Sequence, residues 1–238
     1  MLTFHETNDL ALLLRRKWGI DDYSPIDIFS LALEKMEDLT ILWMKMDEEV
    51  CGCCTKNDKN KLIVINSIYP KARQNFTLAH ELYHILFDEK NQFYFCSDNG
   101  EDVEIEANNF ASSLLMPKGA LMDYMDRRGI EEWTRKDIIK CEQWFQMSHE
   151  DLLKRLLNEK LITEEDYDEF IPHVISFTTR YGFDTGLCKP SDKEKEYYAL
   201  GHLIPLVNKV YDEEKISKGL KNEILIKNFR SDIVYDLD

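Results

Sequence analysis

Residues 73–87, RQNFTLAHELYHILF, are the most informative stretch of this 238-residue sequence. Apolar side chains surround almost the whole of a helix drawn through them, a pattern that predicts a buried helix. The polar exceptions are Thr77, His80, Glu81 and His84. Buried polar groups are tolerated only when they are satisfied, so these side chains need a role. Three of them form an H-E-x-x-H motif.

The spacing of this motif suits a metal site. Residues i and i+4 share one face of a helix, so the imidazoles of His80 and His84 can bind the same ion. Glu81 lies about 100° further round the helix, where it can act on a water molecule. The alternative is a pair of core histidines that hydrogen-bond to the backbone. We expect Zn²⁺, which generally takes three protein ligands in catalytic sites, so a third ligand is required.

A following helix offers carboxylates for that third position. The extended form of the motif would need Gly at 87 and His at 90, but the sequence has Phe87 and Lys90, which excludes that class. We predict a helix over residues 101–116, stopped by Pro117. Its first acidic side chains are Glu101, Asp102, Glu104 and Glu106.

The direction of each carboxylate relative to the apolar face of this helix can be predicted, because successive residues of an α-helix are about 100° apart around its axis. Glu104 lies about 60° from the centre of the apolar face, whereas Glu106 lies about 100° away. Glu101 and Asp102 lie further still, at about 120° and 140°. Glu104 therefore faces inward most, and Asn108 follows it at i+4, where an amide could orient a ligand.

Two segments fit the pattern of a known family. Phe76-Thr-Leu-Ala-His-Glu-Leu-Tyr-His84 fits R-F-T-x-A-H-E-x-x-H, except that Asn75 stands where Arg is common and Arg73 lies close by. The segment from Glu104 to Pro117, EIEANNFASSLLMP, fits E-x-x-A-N-x-F-A-x-x-L-L-M-P throughout. The sequence thus resembles the ImmA/IrrE family of metallo-endopeptidases, most strongly over residues 62–117.

The resemblance implies both a site and a substrate. The zinc ligands of the family map to His80, His84 and Glu104, and its catalytic acid/base maps to Glu81. The implied fold is α+β, with a zincin-like peptidase core of the gluzincin type. Members characteristically cleave and inactivate a helix-turn-helix repressor of the XRE type in prophages or other mobile elements, so such a repressor is the expected partner. The group that stabilises the oxyanion is open between Tyr83 and His149.

Organisation along the chain is predicted in three parts: a peptidase core at 1–128, a helix-turn-helix-like segment at 129–162 and a mostly helical extension at 163–238. Ser24-Pro25 is expected to begin the second helix, and residues 39–46 and 62–65 are expected to be strands of a small sheet. The helix-turn-helix-like pair covers residues 137–145 and 150–159, with Ser148 and Asp151 capping the second helix. A helical pattern is also expected at 197–211. Peptide substrate is expected to lie antiparallel to an edge strand from residues 39–66.

Charge and composition restrict the partners. Thirty basic and 45 acidic residues give a net charge of −15, which argues against general affinity for nucleic acid or anionic lipid. Residues 126–161 carry eight charges of each sign and lack the basic footprint of a DNA reader. The rival function is a degenerate peptidase or a regulatory DNA-binding protein that uses this segment. No apolar run approaches the ~18 residues of a membrane span, and no export signal is evident, so we expect a cytoplasmic protein.

The cysteines suggest reduced thiols in such a compartment. Three of the six crowd at Cys51, Cys53 and Cys54, where no second C-x-x-C follows at zinc-finger spacing. We interpret them as small hydrophobic residues of a strand rather than metal ligands.

Overall fold

The computed structural model describes residues 2–88, 94–96 and 102–237, with the backbone alone described at 94–96. The strands are β1 (Leu39–Met44), β2 (Gly52–Lys56), β3 (Lys61–Asn66), β4 (Tyr94–Cys96) and β5 (Tyr198–Gly201). The helices are α1 (Phe4–Lys17), α2 (Ile28–Lys35), α3 (Lys71–Phe87), α4 (Asp102–Leu115), α5 (Lys118–Arg128), α6 (Arg135–Phe145), α7 (His149–Asn158), α8 (Glu164–Phe170), α9 (Val174–Arg180), α10 (Leu203–Asp212), α11 (Lys218–Lys227) and α12 (Ser231–Tyr235). This is the predicted α+β class, with a small sheet and many helices.

The sheet has the order β4-β2-β3-β1-β5. Strands β1 and β3 run parallel, with Ile41 opposite Ile63, and the other pairs are antiparallel. Strands β2 and β3 form a hairpin whose turn is fixed by Asn57, since its side-chain oxygen accepts the amides of Lys59 and Asn60. The edges of the described sheet are β4 and β5. The expectation that residues 39–66 supply an edge strand was therefore wrong, because β4 and β5 flank all three strands from that range.

Helix α3 packs on the inner face of the sheet, and α4 packs against α3. Strand β1 alternates buried and half-buried residues, with Leu39, Ile41 and Trp43 directed into the core. On the helix side, Leu78, Ala79 and Leu82 are completely buried in the same apolar cluster. The predicted buried helix is confirmed, and this packing fixes the position of its histidines relative to the sheet.

The same apolar cluster continues past residue 128 and includes Ile138, Phe145, Leu152 and Phe170. The division of the chain at residues 128 and 162 stays a prediction. Helices α6 and α7 match the predicted helical pair, and the Ser148 side chain accepts the amide of Asp151 as the predicted cap does.

The predicted start of the second helix was wrong. Helix α2 begins at Ile28 with Asp27 as its cap, whereas the Ser24 amide donates to the carboxylate of Asp21 and the Ser24 carbonyl accepts from Arg15. Because both backbone groups of Ser24 have other partners, Ser24 and Pro25 lie in the connection before the helix.

Residues 198–201 are a strand, although a helical pattern was predicted there. Strand β5 pairs with β1 and ends at Gly201, whose φ of +93° favours glycine. A Cβ at this position would lie 2.2 Å from the Leu39 carbonyl oxygen, so the approach of the two strands also requires glycine. The pairing is tertiary, and the local sequence pattern contains no sign of it.

Candidate metal centre and catalytic cleft

The two histidines of the motif converge as the i, i+4 spacing predicts. The Nε2 atoms of His80 and His84 lie 3.2 Å apart, and both side chains are buried. Helix α3 carries them on the face that meets α4. The C-terminal end of α3 is held by Lys56, whose Nζ donates to the carbonyls of His84, Ile85 and Asp88 at 3.2, 2.9 and 2.5 Å.

Helix α4 brings Glu104 to these imidazoles. Its Oε2 lies 3.1 Å from His80 Nε2, and its Oε1 lies 3.6 Å from His84 Nε2. Glu106 points elsewhere, since it accepts the hydroxyl of Tyr83 and the amide of Leu2. Asp102 is exposed, and Glu101 lies outside the described residues. The structure therefore brings together His80, His84 and Glu104, the set chosen by the helical projection.

The donor set fits zinc in both type and spacing. Two imidazole nitrogens and a carboxylate are typical ligands, and a tetrahedral ion with bonds of about 2.0–2.1 Å holds its ligands about 3.3 Å apart. The separations of 3.1, 3.2 and 3.6 Å between the three side chains are close to that value. Among the described residues, these three form the cluster of His, Cys, Asp and Glu able to hold an ion.

Polar partners orient both rings. Asn108 Oδ1 lies 2.9 Å from His80 Nδ1, so the amide oxygen can accept the ring proton and leave Nε2 directed at the metal position. This is the role expected for Asn108. On the other ring, Asp88 Oδ2 lies 3.6 Å from His84 Nδ1. Sequence reasoning missed Asp88, although an acid four residues after the second histidine was a visible signal.

The protonation tendencies of the two rings differ. Burial lowers the pKa of His84, and the charge of His80 lowers it further. Burial also acts to lower the pKa of His80, but its hydrogen bond to Glu104 and the nearby carboxylate charges outweigh that effect, so the pKa of His80 is raised. Because ligating histidine must be neutral, protons compete with a metal ion at His80.

Glu81 is completely buried among side chains of α3 and β2, with one edge on the cleft. The absence of a side chain at Gly52 makes room for it. A Cβ at Gly52 would lie 3.1 Å from Glu81 Oε1 and 2.5 Å from Thr77 Cγ2. Burial raises the pKa of the neighbouring Cys54 thiol, and the charge of Glu81 and a hydrogen bond to it raise that pKa further, so the group beside Glu81 is neutral. Sequence reasoning missed Gly52 as well.

A cleft of about 490 Å³ opens over His80, Glu81 and Glu104. One wall is the loop before β2, which carries Glu48 and Glu49. The buried side chain of Asn66 shapes this loop, because its amide nitrogen donates to Val50 at 2.7 Å and Asp47 at 3.1 Å. The other wall contains Arg73 of α3 and Lys154 of α7.

A comparison with protein-family models identifies the family of this chain. The Peptidase_M78 model, described as the IrrE N-terminal-like domain, matches residues 26–157, more than half of the sequence. The chain belongs to this family. The resemblance to ImmA/IrrE proteins found in the sequence is confirmed, and the matched range contains the metal centre and both walls of the cleft.

Individual relatives of this Peptidase_M78 chain are distant. "Uncharacterized immunity region protein 2" of Bacillus phage phi105 is 29% identical over 105 residues, a match that covers 42% of this chain and 64% of that protein. A solved structure described as a Mycobacterium tuberculosis transcriptional regulator superposes with a TM-score of 0.47 at 16% identity. That match covers 64% of this chain and 46% of the other.

Neither residue considered for the oxyanion lines the cleft of this Peptidase_M78 domain. The Tyr83 hydroxyl donates to Glu106 at 2.5 Å, on the side of α3 that faces α4. His149 hydrogen-bonds to Glu142 and to the Phe170 carbonyl, between α6, α7 and α8. Both candidates were wrong, because each side chain is held by a partner that the sequence alone did not reveal.

The helix-turn-helix-like pair forms part of the Peptidase_M78 cleft. Glu150 and Lys154 of α7 line it, and Asp151 pairs with Arg73 of α3 at 2.8 Å. Two exposed side chains of α7 thus line the cleft that also contains His80 and Glu104. This arrangement favours a packing or substrate-docking role for the segment.

Two further observations concern expectations from composition. The described cysteine side chains, at Cys51, Cys53, Cys54, Cys141 and Cys188, are free thiols. Cys53 and Cys54 are buried in β2, as expected for small hydrophobic residues of a strand. Within the described ranges of the chain, no helix combines the length and apolar character of a membrane span.

Proposed function

We propose that this protein is a zinc-dependent endopeptidase with a zincin-like core of the gluzincin type. His80, His84 and Glu104 would hold the metal, and Glu81 would be the general base. The observation that carries this proposal is the convergence of three ligand atoms, from two buried histidines and the half-buried Glu104, with spacings suited to one zinc ion, next to the buried Glu81. Membership of a peptidase family supports it.

The chemistry divides between the metal and the side chains. Bound zinc would supply Lewis acidity, which polarises the scissile carbonyl and acidifies water. Glu81 accepts a proton from the attacking water and delivers it to the leaving amine, so one carboxylate serves in both steps. Burial of Glu81 beside a neutral thiol places this transfer in a poorly solvated site.

Asn108 and Asp88 act through the two imidazoles. Asn108 holds Nδ1 of His80 by a hydrogen bond, and the Asp88 carboxylate lies 3.6 Å from Nδ1 of His84, an arrangement that favours Nε2 of each ring as the ligand atom. The backbone of α3 contributes rigidity, because the helix is packed on the sheet and its last carbonyls are capped by Lys56. These contacts preorganise the ligands before substrate arrives.

We propose a repressor of the XRE type as the substrate, cut at one or a few exposed, extended sites. The ImmA/IrrE resemblance and a relative named for a phage immunity region support this choice. The net charge of −15 also favours a partner with a basic DNA-binding face.

The proposal can be tested with the purified protein and a repressor encoded beside its gene. We expect about one equivalent of zinc, cleavage that a chelator stops, and no cleavage by Glu81→Gln with zinc retained. Turnover by this variant, after exclusion of contaminating protease, would refute the mechanism. Salt-dependent DNA binding without metal would favour the regulatory alternative.

A further inference from the structure

A second cavity, of about 130 Å³, adjoins the cleft. Four residues line both spaces: Arg73, Phe76, Asn108 and Lys154. Asn108 lines the small cavity and also contacts His80, so a single side chain separates the cavity from the metal centre. A peptide bound across the metal could place a neighbouring side chain in it.

Most residues that line this cavity are polar, and most of its charged residues are basic. Arg73, Lys154 and Arg155 contribute three cations, and Asp151 contributes one carboxylate. Asp151 is already paired with Arg73. Glu150 and Glu159, which pair with Lys154 and Arg155, do not line the cavity. Each cation thus has a carboxylate partner, but two of those partners lie outside the lining, so the walls of the cavity carry more basic than acidic groups.

Arg155 has unused donor capacity. Its side chain is 1% exposed, and Nη1 donates to Ser112 at 3.2 Å and Ser113 at 3.4 Å. Nη2 lies 3.4 Å from Glu159 Oε1, and Nε makes no hydrogen bond to the described residues. Guanidinium groups bind carboxylates through paired donors, and an unmet donor in a buried position is costly.

The opposite wall of the cleft has the reverse charge. Glu48 and Glu49 stand on the loop before β2. The loop side of the cleft thus carries acidic groups alone, whereas the other side offers the cations of Arg73 and Lys154, each beside a paired carboxylate. This polarity can fix the direction in which a peptide binds.

We propose that the small cavity is a subsite for an acidic side chain, Asp or Glu, of the peptide substrate close to the scissile bond. The inference rests on the proposed peptidase function and adds a specificity to it. A volume of 130 Å³ equals that of about four water molecules, which suits a short carboxylate side chain. Lys154 attracts the carboxylate at the cavity mouth, and Arg155 meets it inside.

The test uses the zinc-loaded protein and a randomised peptide library, with sequencing of the products. We expect Asp and Glu to be enriched about tenfold over Lys and Arg at one position near the cut. Lys154→Glu should remove that enrichment while zinc content stays unchanged. The matched control is Lys215→Glu: both lysines are exposed and pair with a nearby glutamate, at 2.7 Å for Lys154 and 2.6 Å for Lys215. The control should keep the wild-type preference.

A binding measurement separates this inference from the proposed function. Glu81→Gln protein is titrated with N-acetyl-Ala-Ala-Glu-Ala-Ala-amide and with its Lys counterpart, and binding is followed by NMR. Selective binding of the glutamyl peptide that Lys154→Glu abolishes supports the subsite, even if no peptide is ever cut. Cleavage without any acidic preference refutes the subsite and leaves the peptidase function standing. A preference that Lys154→Glu does not alter also refutes it.

Discussion

Replacement of Gly52 by alanine tests how closely the sheet holds Glu81, the general base that we propose. The new Cβ would lie 2.5 Å from Thr77 Cγ2, 2.9 Å from the Val64 carbonyl oxygen and 3.1 Å from Glu81 Oε1. Two carbon atoms that are not bonded do not approach to 2.5 Å, the distance to Thr77 Cγ2, so β2 and α3 must move apart. Thr77 is one helical turn before Glu81, and a shift there moves the carboxylate.

The expected magnitude follows from these contacts. Overpacking of a well-filled core costs about 1–3 kcal/mol, and we expect Gly52→Ala to lower the free energy of unfolding by that amount. Displacement of a catalytic group by about 1 Å can reduce the rate about 10²-fold. We therefore expect a fall in kcat/KM of roughly that size, with zinc retained because the three atoms nearest to the new Cβ belong to Thr77, Val64 and Glu81 rather than to a histidine.

The assays are thermal unfolding, zinc content and cleavage of a peptide or repressor by the same preparation. Gly119→Ala is the control, since the nearest atom to its Cβ is Tyr23 Cε1 at 3.6 Å, an ordinary contact. Alanine within helix α5 should leave activity unchanged and add up to about 1 kcal/mol of stability. Wild-type activity and stability in Gly52→Ala would refute the reasoning. Activity lost only in proportion to zinc would show that Glu81 is not the group affected.

Three further outcomes are expected. Glu104→Ala should lose zinc by metal analysis, whereas Glu106→Ala should keep zinc and lose stability; equal zinc loss would contradict the assignment of ligands. The Glu142 partner raises the pKa of His149 despite burial, and burial raises that of Glu142, so the folded state holds protons more tightly. The contribution of His149 to stability is complete below about pH 6.5, the ordinary pKa of histidine, and is lost as pH rises through the raised pKa of the folded state. The free energy of unfolding of His149→Gln should therefore differ most from that of wild type at pH 6. A difference that does not change with pH would refute this prediction. Asn66→Ala should loosen the loop before β2 and raise KM more than it lowers kcat.

The metal centre was the part of the site most accessible from the sequence. His80 and His84 are fixed by helical periodicity alone, because i, i+4 residues share a face whatever the surroundings. The prediction of Glu104 as a ligand needed only the direction of the apolar face of its own helix. Asn108 followed from the same geometry. All four lie on two helices, and helical angles can be calculated without knowledge of the fold.

The residues that sequence reasoning missed depend on contacts between elements. Gly52 matters because β2 crosses α3 at Glu81, and no local pattern states where a strand crosses a helix. Residues 198–201 have helical periodicity, but they form strand β5 because they pair with the free edge of β1. His149 was a candidate for the oxyanion, but its side chain is bound to Glu142 of α6, a contact that the sequence does not reveal.

The same distinction explains why the cleft is harder to predict than the metal centre it contains. Its basic wall is built by α7, which reaches α3 through the ion pair of Arg73 with Asp151. In the sequence, Arg73 read as a displaced family arginine and α7 as half of a helix-turn-helix. Their contact makes a segment with a helix-turn-helix-like pattern into a wall of the cleft, and Lys154 lines that cleft together with His80 and Glu104. Specificity in this protein should accordingly follow changes in α7 more than changes in the H-E-x-x-H helix.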